Sequence, residues 1–255
     1  MSRPLRFLKT KGFYWIIIFL LVSLYPQPSY LREANRITIG KFVPGDGEEA
    51  SGSPKGWKTL TFFNTPPTEY QVVKYRGEYV LKAHGIGTSS CLFREVKAEL
   101  GSFPIISWKW KISNVIRQAI ETQKDRNDSA ARVMVVFEPV PEEMPPWYRL
   151  EYLLKGIIWK NAPLGPRIEY IWGNKIEKGR IFDNPSVGGS KMIILESGER
   201  KANRWIREKR NLVDDYRTAF GAEPQGIVAL GIQTDTDQSN EGVTAYYGEI
   251  FLNTK

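Results

Sequence analysis

The sequence contains one histidine and one cysteine among 255 residues. With Cys91 alone, no intrachain disulfide can form, which neither demands nor excludes an oxidising compartment. Any Ser-His-Asp or Cys-His relay would have to run through His84, and a zinc site with several histidines is excluded. His84 lies in Y-V-L-K-A-H on the parity of Val80 and Lys82, as an ordinary strand residue does, and Cys91 in S-S-C-L-F reads as a small buried strand residue. Internal repeats and low-complexity tracts are missing. So is a concentrated basic face. Net charge is +8, but residues 1–36 carry +5 of it. The Arg200–Arg210 stretch is interrupted by Glu208, so the domain lacks the footprint that nucleic acid requires.

Only one long apolar run exists, Phe13 to Tyr25, broken by Ser23 alone and preceded by four basic residues and no acid. This is a signal sequence pattern. Its 13 residues fall short of the roughly 20 that span a bilayer. No clean small-x-small cleavage site follows, so the expectation is an uncleaved signal anchor over 1–34, extended toward Leu31, with cleavage as the alternative. The positive-inside bias puts the N-terminus in the cytoplasm and the rest outside, a single-pass arrangement. Residues 35–56, with Pro44, Gly45, Gly47, Gly52, Ser53, Pro54 and Gly56, read as a linker.

From Trp57 to the end the chain reads as one domain. Strand-like runs include Glu78–His84, Ser89–Val96, Ile105–Ile112, Ala131–Phe137, Arg167–Trp172, Arg204–Arg207, Ile227–Thr234 and Thr244–Leu252, with Gly, Pro and Ser turns between most of them. That rhythm predicts a mainly β, antiparallel β-sandwich or barrel. In I-I-S-W-K-W-K-I, Ile106, Trp108, Trp110 and Ile112 share one face and Ser107, Lys109 and Lys111 the other. Tryptophans sharing a face with isoleucines predict a core role over a sugar platform.

A few short helices interrupt the strands. Asn211 is a good N-cap, Asp214 and Asp215 suit the first turn, Leu212, Tyr216 and Phe220 recur every four residues, and Gly221 then Pro224 end the helix. Asn114–Lys124 shows helical spacing of Val115, Ile116, Ala119 and Ile120. Met144–Trp159 reads as a strongly apolar helix, packed on the sandwich or, on the sharper reading, lying on the membrane.

Candidate chemistry is carboxylate and arginine chemistry. Asp125, Asn127, Asp128 and Arg132 precede and enter a strand, as ligands for a hard cation or as an Asp128–Arg132 ion pair. Asp235 and Asp237 follow the buried strand Ile227–Thr234. If that strand and Thr244–Leu252 form a hairpin, both acids sit at its tip, with Tyr247 and Glu249 on the returning strand. Several acids meeting at one edge repel unless a cation or Arg132 neutralises them. Hence Asp235 and Asp237 are the candidate metal ligands, with Ca2+ the candidate cofactor, or the edge is an Arg-centred polar pocket. Asp214, Asp215, Asp235, Asp237 and Glu249 also supply the carboxylate pairs that glycosidases need.

Several motifs occur in a characteristic order: G-W-K at Gly56, S-W-K-W-K at Ser107, D-S-A-A-R at Asp128, Y-I-W-G-N at Tyr170, W-I-R-E-K-R-N-L-V-D-D-Y-R-T-A-F-G at Trp205, T-D-T-D at Thr234 and A-Y-Y-G-E-I at Ala245. Over Trp57–Leu252 the chain resembles the bacterial family catalogued as domain of unknown function 3047. The resemblance implies a secreted or membrane-attached protein with a jelly-roll-like domain, and no particular activity. The family's paired acid before A-A-R is Asn127-Asp128 here, and Gln238 follows Asp237 where Asn is usual. The candidate ligand-binding set is Asn127, Asp128, Arg132, Tyr170, Trp172, Asp235, Asp237, Tyr247 and Glu249. The expected function is an exported, membrane-tethered module in the bacterial inner membrane, facing the periplasm, that holds a glycan or other polar envelope component without catalysis. The alternatives are a polysaccharide hydrolase or lyase using Asp/Glu or Tyr/Arg pairs, and a structural partner in an envelope assembly.

Overall fold

The computed structural model describes residues 31–33, 35–43, 53–140 and 163–254. The expected anchor at 1–34 lies outside these residues except for its last few, and Met144–Trp159 lies outside them entirely. Among the described residues, no helix is long and apolar enough to cross a membrane.

The described residues form a mainly β sandwich of two packed sheets, with 15 strands. Sheet A contains β1 (Leu31–Glu33), β2 (Arg36–Thr38), β4 (Glu69–Tyr75), β5 (Glu78–Gly85), β7 (Ile105–Ile112), β12 (Ile206–Asn211), β14 (Val243–Tyr247) and β15 (Phe251–Asn253). Sheet B contains β3 (Lys58–Thr61), β6 (Ser89–Glu99), β8 (Ser129–Phe137), β9 (Arg167–Gly173), β10 (Ile181–Asp183), β11 (Ser190–Ser197) and β13 (Gly226–Asp235). Pairing is antiparallel except between β9 and β11. The chain shuttles repeatedly between the sheets, with β6, β8 and β13 in one and β5, β7 and β14 in the other, which is jelly-roll-like connectivity.

Alternation builds the core. Along β7, Ile106, Trp108, Trp110 and Ile112 are buried while the residues between them are half-exposed. Trp108 packs on Tyr170 and Trp110 on Trp172, with ring centroids 5.2 and 5.9 Å apart across the sandwich. Cys91 is buried in β6, where burial pushes its thiol up to about 12, so it is no nucleophile at neutral pH. The helix α1 (Leu212–Phe220) has the expected caps. The Asn211 side chain accepts from Val213 N and Asp214 N, and Gly221 takes a left-handed φ of 71°.

Four expectations change. First, the lead-in is not all linker: β2 lies within residues 35–56, and Ile37, Ile39 and Phe42 are buried. The Gly and Pro that suggested a linker cluster after them. Second, Asn114–Lys124 is a run of turns rather than a helix. Val115, Ile116 and Ala119 are buried as foreseen, but Glu241 caps the backbone N–H groups of Arg117 and Gln118, and Arg126 donates to Gln118 O. These side-chain bonds compete with a helical ladder. Third, Thr244–Leu252 is split into β14 and β15 by a bulge. Tyr247 pairs with Trp110 and Phe251 with Ser107, so an extra residue lies on the bulged side. Fourth, β13 and β14 are not a hairpin. They belong to opposite sheets, and the segment between them crosses from one to the other.

Candidate functional site

The second face of sheet B decides where the site is. In β8, Ala131, Val133, Val135 and Phe137 point into the sandwich, which sends Arg132, Met134 and Val136 outward. On β13 the outward residues are Gly231, Gln233 and Asp235, on β9 Glu169, and on β6 Ser89, Cys91 and Phe93. These outward residues line a groove of about 230 Å3. Its floor is flat at Gly231, where an added Cβ would meet Met134 Cε at 2.8 Å.

One part of the groove is apolar. Cys91, Phe93 and Met134 form a small cluster with Leu60 packed against it. The other part is polar and buried. Arg132 donates from Nη1 to Glu169 Oε2 at 3.0 Å, from Nη2 to Asn127 O at 3.0 Å and from Nε to Ser129 Oγ at 3.1 Å. The two side chains of that ion pair are only 5% and 1% exposed. Glu169 Oε1 also accepts from Asn184 Nδ2 at 2.9 Å and Ser190 Oγ at 2.6 Å. Burial alone would pull the Arg132 guanidinium down, but Glu169, Asp235 and Asp128 outweigh it and hold it above the ordinary arginine value.

At one end of the groove three carboxylates converge. Asp128 begins the approach to β8, Asp235 ends β13, and Asp237 lies in the crossover. One oxygen of each lies within 4.8 Å of the others. Asp128 accepts from Gln238 N at 3.3 Å and Ser239 N at 2.8 Å. Asp235 Oδ2 accepts from Gln233 Nε2 at 3.2 Å and stands 3.7 Å from Arg132 Nη2, while Oδ1 is buried with no hydrogen-bond partner. Burial first, then Asp237 and Asp128, push the Asp235 carboxyl up to about 8 against the pull of Arg132.

The predicted residues therefore divide. Asn127, Asp128, Arg132, Asp235 and Asp237 come together, and Asn127 also donates to Ser186 Oγ at 3.2 Å. Tyr170 and Trp172 do not join them. Their alternation points them into the core, where Tyr170 donates to Asp215 of α1 at 2.7 Å and Trp172 to Gly198 O at 3.2 Å. Tyr247 lies beneath the site. It reaches from sheet A, donates to Gln233 O at 2.7 Å and accepts from Arg132 N at 3.3 Å, where the β8–β13 register shifts. Glu249 belongs to the other sheet and pairs with Arg36 at 2.6 Å. Glu169, Gln233, Asn184 and Ser89 were missed. For Glu169 and Gln233 a charged or amide residue inside an otherwise apolar strand was the available signal, as in R-I-E-Y-I-W and G-I-Q-T-D.

A larger cavity of about 560 Å3 lies against sheet A, between Phe42, Tyr79, Lys109 and Phe251. Two of its carboxylates are already neutralised, Glu78 by Lys109 and Glu249 by Arg36. A third, Glu208, is partly buried and accepts from Trp110 Nε1, while the fully buried ion pair lies in the smaller groove.

The fold and this groove define a jelly-roll-like β-sandwich with a charged recess on the outer face of one sheet. The chain belongs to the family described as protein of unknown function (DUF3047), whose profile matches residues 55–251. No curated protein matches it. Among solved structures it is similar to the family 30 carbohydrate-binding module of a cellulosomal cellulase of Clostridium thermocellum, at 13% identity over 86% of this chain and 98% of that one, with a TM-score of 0.38. It is similar also to the xyloglucanase domain of NopAA from Sinorhizobium fredii in complex with cellobiose, at 10% identity over 84% and 97%, with a TM-score of 0.41. A third is the family GH12 endoglucanase 3 of Trichoderma harzianum, at 8% identity over 91% and 100%, with a TM-score of 0.40. What those proteins bind or cleave is a property of those proteins.

Proposed function

We propose that the chain is an exported module, held at the bacterial inner membrane by its N-terminal segment, that binds a glycan or a similar polyhydroxylated envelope component in the outer groove of sheet B without cleaving it. The observation that carries this reading is the outward-facing, buried Arg132–Glu169 pair with its Asn184, Ser190 and Ser129 partners. Burying such a pair rarely gains stability over apolar residues of the same volume. Inside a sheet-to-sheet core it would serve packing, whereas on the outer face it presents fixed donors and acceptors to a groove. Sugar hydroxyls need that kind of planar, multidentate partner, and their C–H faces suit the adjoining Phe93 and Met134. Export rests on the basic residues ahead of Phe13–Tyr25.

Two lining residues test the groove without dismantling its floor: Phe62 and Arg167, whose Nε is buried without a hydrogen-bond partner. On a glycan array the full-length protein should retain one class of polysaccharide. Phe62→Ala and Arg167→Ala should each weaken that binding by roughly tenfold or more, about 1.4 kcal/mol, with melting unchanged. Retention of no glycan overturns the reading. Release of new reducing ends during incubation overturns the non-catalytic part and makes the groove a hydrolase site.

A further inference from the structure

We propose that Asp128, Asp235 and Asp237 form a calcium site at the end of the sheet B groove. The site does not depend on what fills the groove. Each residue brings an oxygen to one small volume, the three atoms lying within 4.8 Å of one another. An ion equidistant from three atoms at that limit would stand about 2.8 Å from each, so closing onto all three at a Ca–O distance of about 2.4 Å requires them to move in by only a few tenths of an ångström.

The second observation is the orphaned oxygen. Asp235 is 6% exposed, no donor from the rest of the fold reaches its buried Oδ1, Oδ2 is engaged by Gln233 and faces Arg132, and the neighbouring Asp237 carboxyl is a second acceptor that the pair can match only by sharing a proton or a cation. A buried carboxylate oxygen left unmatched costs its full desolvation. Arg132 does not make up the balance, because its Nη2 faces the other oxygen, Oδ2, at 3.7 Å and no hydrogen bond reaches Oδ1. Glu169, Asp235 and Asp128 thus share one guanidinium, and Asp237 adds a further negative charge beside Asp235. Asp128 is held in place by the backbone N–H groups of Gln238 and Ser239, and its oxygens keep lone pairs for a cation.

The donor set selects the metal. All three ligands are carboxylate oxygens, which suit hard cations, and neither His84 nor Cys91 belongs to the cluster. Two of the three come from irregular backbone, before β8 and in the β13–β14 crossover. Such segments adapt to the about six to eight oxygens that Ca2+ accepts, whereas Mg2+ demands a near-ideal octahedron with shorter bonds. Water or ligand hydroxyls complete the shell on the groove side.

The test is thermal melting of full-length protein stripped with a chelator, then titrated with CaCl2 or MgCl2. The parent should rise in melting temperature saturably with calcium, in the micromolar to millimolar range of calcium modules, and much less with magnesium. Asp235→Asn should keep a cooperative melting transition without metal and should lose the calcium response. Asp237→Asn, a half-exposed position, should fold normally and need roughly tenfold or more calcium for the same response. A parent whose melting ignores millimolar calcium overturns the site, as does a calcium response that survives unchanged in both variants.

Discussion

The two outer faces of the sandwich both carry charges and treat their central ones in opposite ways. On sheet A, Lys111 Nζ lies 4.3 Å from the Tyr246 ring centroid, 4.4 Å from Tyr75 and 5.7 Å from Trp205, and those rings contact one another. Lys109 beside it pairs with Glu78. Each of these groups is at least partly in water, and the lysines fill the space that the aromatics frame. In the sheet B groove Arg132, Glu169 and Asp235 are sealed away, and one oxygen of Asp235 has no donor. A cluster of exposed aromatics is therefore a poor guide to a site here, because it is already occupied by the chain's own cations. Desolvated, incompletely matched charge is the better guide.

The contrast can be broken experimentally. Arg132→Ala should destabilise the protein by about 3–5 kcal/mol in urea unfolding, because Glu169 would remain buried without its guanidinium. A loss under about 1 kcal/mol would mean that sheet B tolerates charge as sheet A does. A smaller effect, visible as pH dependence, belongs to Glu208 on β12. Burial pushes its carboxyl up to about 7 from 4.5, and Trp110 Nε1 donates to it at 3.3 Å. A raised carboxyl pKa favours the folded state when protonated, so this contribution is present below the unfolded value and fades as pH rises through about 7. Glu208→Gln should melt higher than the parent above that range and lose the parent's decline across it. A parallel pH profile in parent and variant would remove Glu208 from the account. The smallest effect should come from Lys111→Ala, about 0.5–1 kcal/mol for a partly exposed cation–π contact. A drop of several kcal/mol there would make sheet A the face with the built-in strain.

What could be read from the sequence follows the same division. Period-two alternation located β7 to the residue and put Trp108 and Trp110 in the core. Capping chemistry located α1, because Asn211 and Gly221 act locally. The hairpin failed because alternation says which way a side chain points and nothing about which sheet a strand joins. Asp235 and Asp237 still lie together, beside Asp128, since an acid ending a buried strand stands out wherever the strand goes. Tyr170 and Trp172 were misplaced for want of a parity check: in R-I-E-Y-I-W the odd-numbered Glu169 faces the groove and the even-numbered aromatics face the core. Asn184 and Ser190 had no local signal, because the β9–β11 pairing brings them to Glu169 from distant sequence.

Near the chain's two ends, β2 and β15 lie side by side, with Arg36 opposite Asn253, and Ile39 N and Gly40 N both donate to Ile250 O. The Arg36 guanidinium sits 3.8 Å over the Phe251 ring and binds Glu249. This arrangement works as a clasp. Tension applied to the backbone ahead of Arg36 passes sideways into β15 and from there into β7, the central strand of sheet A, and through the Arg94 bond to Ile39 O into β6 of sheet B. A module pulled from that end would load its clasp first, and with it both sheets at once.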